Sequence, residues 1–536
     1  MTLLSTNDLA SLERIEGDVC ICGAGPAGLT LAEALTQRGH RVILLESGFA
    51  QPNSETQALN KIESVGLPLR EDFINRLRML GGTSNLWSGR CALLDPIDFA
   101  KREWVDGSGW PIEYDEYLRY STFAAKILGL PADTAQAHTD SDSGQFLQAR
   151  LSEFEIQQRL ALWGKAPARF WRKFYPSLVK ADNCQVCMGI TVTGLHPSND
   201  GSRITRVEAR KLNGSPLNVT TQCIVLAMGG WENTRTLLLS VERYQHLGIS
   251  RSALGRYYMD HPKTVVGSIA VKKFSKIEPL IGRRPVSGGI RQILLGITPE
   301  TQRREHLLNA HVNLEQSYSD KTTMGYSRFT EVLKRFLKRG HVGSRVDRSN
   351  LGSGRADLIH QLTPEETMPY FMFRALHGIR RIVQRPPSRV VIVNHCEQAP
   401  NRNSRITLGN ARDRFGNRLL RLDWRAANVE IATLVWLQQR LGRLVECLDA
   451  GSLDTTPGDL HESDYTDAAH HMGGTRMSTD RQFGVVDSNL MVHGVKNLFV
   501  CGSSVFPTGG SANPTWTIVA LAVRLSEYLD STLRRK

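Results

Sequence analysis

The sequence predicts an α/β fold, with a Rossmann-like nucleotide-binding unit at its front and further candidate strands, several of them alternating, later in the chain. Three observations predict it. DVCICGAG at 18–25 is an apolar run ending in glycine, followed by the helical PAGLTLAEALTQRG and a second strand, RVILLES, at 41–47. CIVLAMGGWENTRTLLLS at 223–240 and NLFVCGSSVFPTGGSANPTWTIVALAVRLSEYL from 497 repeat the order of strand, glycine turn and helix. KTVVGSIAVKKF from 263, LNAHVNLEQ from 308, RVVIVNHCEQ from 389 and LLRLDWR from 419 are strand candidates, and several alternate polar with apolar residues, as a sheet covered on one face does.

The first βαβ unit carries a nucleotide site. Gly23 permits a tight turn, Gly25 lets a pyrophosphate touch the backbone, and Gly28 lets helix and strand pack closely, with Pro26 in the first helical turn. The helix N-terminus favours phosphate charge, and Glu46, closing the second strand 18 residues after Gly28, can accept hydrogen bonds from ribose hydroxyls. The motif alone leaves FAD and NAD open. Position favours FAD, because the unit is resumed at Gly229 and again at Gly502, and a cofactor contacted from three distant segments is a large one.

A chain of 536 residues exceeds what one core usually serves, so two domains are expected. Its 41% apolar and 22% charged residues are those of a globular protein, and neither a signal sequence nor a run of about 18 apolar residues is visible; the expectation is a cytoplasmic protein. Nine cysteines, an odd number without a framework, fit reduced thiols. The lone CxxC of Cys184 and Cys187 reads as two buried thiols, and no metal site of recognisable spacing is present. The net charge of +13 is concentrated in part in two basic amphipathic helices, 329–339 and 368–385. The plain reading is packed helices with solvated outer faces; a membrane surface, an anionic substrate entrance or a partner protein is the alternative. No recognition motif accompanies the charge, which argues against nucleic acid.

GAGPAG, RMLGGTSNLWSGR at 78–90, GWPIEYDEYLRYS at 109–121, EQAPNRNSRITLGNARDRFGN at 397–417, and HHMGGTRM followed by GGSANPT together resemble the glucose-methanol-choline flavoprotein oxidoreductases, and within them the pyranose oxidase branch. The resemblance implies a discontinuous FAD-binding domain, placed at 1–95, 181–255 and 465–536. A substrate domain with a mainly antiparallel sheet covered by helices then takes 96–180 and 256–464.

The resemblance further implies oxidation of an alcohol, most plausibly a hydroxyl of a sugar, glycoside or sugar-derived natural product, with hydride passing to flavin N5 while a base takes the hydroxyl proton. By register to the glycines of HHMGGT, His471 matches the catalytic base and Asn513, 42 residues later, its partner. His470 is expected to point elsewhere, packing or capping. Gly81, Gly82, Thr83 and Ser84 are expected against the isoalloxazine ring, with Asn85 and Ser88 near flavin N5 or substrate or, equally, as turn residues. Val192 matches an adenine contact, Gly502 and Ser503 stand where an aspartate often holds the ribityl chain, and Pro514 and Thr515, directly after the catalytic asparagine, are expected to contact the cofactor. One departure is informative: the branch carries a flavin-linked histidine just before the tryptophan of RMLGGTSNLWSGR, and here Leu86 precedes Trp87, which implies non-covalent FAD. Oxygen, a quinone and a protein all stay open as electron acceptor. A lyase of the same family with non-redox flavin, and a flavin-binding electron-transfer component, are the rival readings.

Overall fold

The computed structural model describes residues 3–4, 12–69, 76–131, 145–264, 267–317, 387–454, 460–461 and 464–535. The basic helices expected at 329–339 and 368–385 lie outside the described residues.

The first sheet is built around strand Arg14–Cys22, flanked in parallel by Val42–Glu46 and Pro216–Leu226. Cys184–Met188 extends it beyond Val42–Glu46, and Leu498–Val500 joins Pro216–Leu226, again in parallel. Helices Pro26–Gln37 and Thr515–Arg534 pack against each other and onto this sheet. Val19–Cys22 and Val42–Leu45 are consequently almost inaccessible, which is why these strands read as unbroken apolar runs. An antiparallel hairpin, Ile190–Pro197 and Ile204–Lys211, completes the sheet beside Pro216–Leu226. The three glycine turns expected to share one cofactor thus follow neighbouring parallel strands.

The second sheet is antiparallel throughout, in the order Arg283–Val286, Gly289–Ile297, Ala310–Ser317, Arg389–Cys396, Ser268–Val271 and Gly451–Leu453; Ile156–Gly164 also pairs with Gly289–Ile297. Val312, Leu314, Val390 and Ile392 pack in one cluster with Leu434, Leu437, Leu441 and Leu444 of helix Asn428–Cys447, so that helix covers one face. Strand alternation turns His311 and His395 to the opposite face, where the register sets them side by side.

Three of the four strand candidates for this sheet lie in it. LLRLDWR does not: Arg418–Trp424 pairs antiparallel with Arg405–Arg412 and parallel with Ile62–Gly66 in a separate three-stranded sheet. The cause is its apolar face, since Leu420, Leu422 and Trp424 pack with Trp231, Tyr258 and Ile406.

Candidate functional site

The glycines of the first turn meet three separate demands. Gly23 adopts φ 104°, and a Cβ there would fall 2.6 Å from the Ala227 carbonyl. A Cβ on Gly28 would fall 1.8 Å from the Gly23 oxygen, so only glycine lets the helix lie this close to its strand. Gly25 faces open space and caps helix Pro26–Gln37 without a side-chain hydrogen bond or an acid in the first turn. That open helix N-terminus fits a dinucleotide pyrophosphate. The buried Glu46 carboxylate accepts from Ala24 N at 3.0 Å and Gly48 N at 2.7 Å, which pins it beside the turn; burial pushes its acid up. Gly229, φ 86°, likewise opens onto empty space at the start of helix Gly230–Arg243. Val192 is half-buried in its strand.

The loop at 81–88 docks on the same turn. Gly81 N donates to Ala24 O at 2.8 Å, and a Cβ on Gly82 would stand 3.2 Å from the Gly25 Cα. Both glycines have positive φ. The side chains around them largely serve the loop itself: Thr83 Oγ1 accepts from Leu77 N, Ser84 Oγ donates to Gly81 O, and Asn85 Nδ2 donates to Leu80 O and Gly82 O. Arg169 ties the far end down through the Ser84 and Trp87 carbonyls. Ser88 follows there, half-buried, as does Leu86.

The C-terminal motifs come together at the other end. Residues 473–477 run beside 503–505, with Gly473, Thr475 and Met477 amides donating to Ser503, Ser504 and Val505 carbonyls. Gly502 has φ 149°, and Ser503 Oγ donates to the His471 carbonyl at 2.5 Å. Asn233, which no motif singles out, links two of the three glycine turns by accepting from Met228 N and donating to Ser504 Oγ. The glycines of HHMGGTRM are required by protein rather than cofactor: Cβ atoms at Gly473 and Gly474 would fall 1.9 Å from Tyr257 O and 2.5 Å from Thr234 Oγ1.

The two histidines are placed the opposite way from the expectation. His470, not His471, faces Asn513: Nε2 of His470 lies 3.1 Å from Asn513 Nδ2. Met472 pairs with Met259 in a two-residue β-bridge, and in extended backbone neighbouring side chains leave on opposite sides. His471 therefore turns away and stacks on Trp231 at 3.8 Å, 8% exposed. Pro514 and Thr515 open helix Thr515–Arg534 directly after Asn513.

Residues outside the motifs complete the site. His261 Nδ1 lies 2.8 Å from His470 Nδ1, and Asp260 accepts the backbone N–H groups of His261, Ala468 and His470. Arg90 donates to Nε2 of His395 and Nε2 of His311, both at 3.3 Å, and those two rings stack at 4.9 Å. Burial first, then neighbouring positive charge, holds these histidines uncharged: His470 is pushed well below the usual range by desolvation, with the charges of Arg90 and Lys263 adding to it. His311 and His395 are pushed down the same way, chiefly by burial and Arg90. His311 and His395 stood in two expected strands, but only the register reveals that they meet; His261 and Asp260 carried no spacing signal.

Comparison with known proteins agrees with this layout. A family model described as GMC oxidoreductase matches residues 400–522, and one described as FAD binding domain matches 16–58. A 2-methyl-1,2-propanediol dehydrogenase from Mycolicibacterium austroafricanum is 23% identical over 96% of this chain and 95% of its own length. The fructose dehydrogenase large subunit of Gluconobacter japonicus is 22% identical over 98% of this chain and 100% of its own. In fold, the chain is similar to a formate oxidase variant from Aspergillus oryzae RIB40, with a TM-score of 0.57, 16% identity, and coverage of 97% and 99% of the two chains. These matches fall on the glycine turn, on the segment holding His470 and Asn513, and along the whole chain between them, and together they support the glucose-methanol-choline family of FAD-dependent oxidoreductases.

Proposed function

We propose that the protein oxidises a CH–OH group of a sugar, glycoside or sugar-derived natural product to a carbonyl, with His470 as general base and Asn513 as its partner. One observation carries this reading: a neutral imidazole nitrogen and an amide N–H converge at 3.1 Å, so one hydroxyl oxygen fits against both. His470 Nε2 takes the hydroxyl proton, and Asn513 Nδ2–H turns from His470 to the oxygen as it gains charge. FAD, when bound, supplies the hydride acceptor. Gly23, Gly25, Gly28 and Glu46 would hold its adenosine and pyrophosphate end. Gly81 and Gly82 would hold its ring system, with Gly502 and Ser503 along the chain between. Leu86 cannot link to a flavin, so the cofactor is held non-covalently.

The full-length relatives that oxidise a diol and a sugar support the substrate class. Membership of the two large sheets is in keeping with an FAD-binding unit of residues 1–95, 181–255 and 465–536 and a substrate unit of 96–180 and 256–464, while the three-stranded sheet joins Ile62–Gly66 of the first to Arg405–Arg412 and Arg418–Trp424 of the second. Nine free thiols are in keeping with a reducing, cytoplasmic setting; no described helix is long and apolar enough to cross a membrane. The test is an anaerobic screen of alcohols and sugars against the purified holoenzyme, followed by reoxidation with oxygen or a quinone. Bleaching of the flavin by a hydroxyl substrate is expected. A flavin that no alcohol or sugar reduces would overturn the reading.

A further inference from the structure

Resting on the assignment of His470 as base, we propose that His261 is a positioning residue that fixes which ring nitrogen of His470 carries the proton, leaving Nε2 bare toward the substrate. The geometry determines each proton in turn. His261 is fully buried, and its Nε2 lies 2.8 Å from the Gly510 carbonyl, which can only accept, so this nitrogen is protonated. Burial holds the ring neutral, its pKa pushed down to about 4, so Nδ1 has a free lone pair. That lone pair points at His470 Nδ1, 2.8 Å away, with the two rings edge to face at 84°. His470 Nδ1 must then be the donor. A neutral imidazole has one N–H, so the lone pair of His470 sits on Nε2, the nitrogen beside Asn513.

Without His261, His470 is free to adopt the other tautomer, in which Nε2 carries a proton and cannot accept one from the hydroxyl. The frame around the relay is rigid. Asp260 binds the backbone of His261 and of His470, so it holds the two residues together without touching either ring. Gly510 and Asn513 belong to one loop, anchored by Thr508 Oγ1 on Asp98 O and by Arg159 on Ser511 Oγ. Gly510 packs so closely on Asp98 that an added Cβ would fall 2.4 Å from its carboxylate.

Substitutions separate the two hydrogen bonds of His261. An asparagine amide oxygen reaches roughly where Nδ1 sits and keeps the acceptor for His470; a glutamine amide nitrogen reaches where Nε2 sits and keeps only the bond to Gly510. The anaerobic rate of flavin reduction and KM are measured for His261→Asn, His261→Gln and wild type, all as holoenzymes with matched flavin content. His261→Asn is expected within about 10-fold of wild type, and His261→Gln down about 100-fold in rate with KM nearly unchanged, the scale on which residues that orient an active imidazole act. Equal rates for the two, or a faster His261→Gln, would overturn the proposal. Should either variant fail to fold, ¹⁵N chemical shifts of histidine-labelled wild type decide: Nδ1-protonated His470 is expected, and an Nε2-protonated ring contradicts it. His470→Ala separates the layers, since reduction retained there would defeat the base assignment itself, whereas loss there with His261→Gln unaffected would defeat only the role of His261.

Discussion

Asn513 Nδ2 and His470 Nε2 stand 3.1 Å apart on two segments brought together by the first sheet and its last helix. An amide that donates to a developing alkoxide matters more in the transition state than in the ground state. Asn513→Ala should keep its flavin and lose roughly 10²-fold in the rate of flavin reduction, about 3 kcal/mol, with a smaller change in KM. Stopped-flow reduction under anaerobic conditions reads both quantities.

Gly25 and Gly28 are predicted to fail differently. A methyl at Gly28 meets the Gly23 carbonyl at 1.8 Å, so Gly28→Ala should not fold stably. A methyl at Gly25 meets no protein atom, and its φ of −81° suits alanine. Gly25→Ala should therefore match the wild-type apoprotein in Tm while its flavin-to-protein ratio falls, because the methyl stands where the pyrophosphate approaches the backbone.

With leucine at position 86, acid precipitation should release the flavin into the supernatant. Flavin that stays with the pellet would show a covalent link through another residue.

Acid stability should depend on Glu232. Burial alone would raise its pKa, but Arg78, Arg235 and Arg76 outweigh burial and hold it down to about 2. A carboxylate depressed in the folded state stabilises above its ordinary value of 4.5, and that contribution is lost as pH falls toward 2. The loss amounts to about 3 kcal/mol at most. Glu232→Gln should lower Tm at neutral pH and flatten the decline between pH 4.5 and 2, as thermal melts across that range will read.

Local demands were legible in the sequence, and choices between partners were not. The turn at Gly23, the open approach at Gly25 and the close packing at Gly28 each follow from backbone geometry within one βαβ unit, so spacing alone announces them. The alternation of LNAHVNLEQ marked the face that helix Asn428–Cys447 covers, but it did not show that the other face, with His311 and Asn313, is buried as well. The alternation of LLRLDWR marked a covered face just as well, but it could not say that Trp231 and Tyr258 would cover it. His470 and His471 posed the same difficulty in miniature. The glycines after them fix how the chain lies on Tyr257 and Thr234, whereas the face each histidine takes is set by pairing with Met259, 213 residues away. His261 was invisible for the same reason: its importance rests on contacts with His470 and Gly510, neither near it in sequence.

The rate of anaerobic flavin reduction in His470→Ala and His471→Ala, compared at equal flavin content, tests the central assignment most directly. His470→Ala should lose roughly 10²-fold or more, as removal of a general base does, while His471→Ala, whose ring packs on Trp231, should reduce its flavin at close to the wild-type rate with a lower Tm. A normal rate in His470→Ala together with loss in His471→Ala would contradict it.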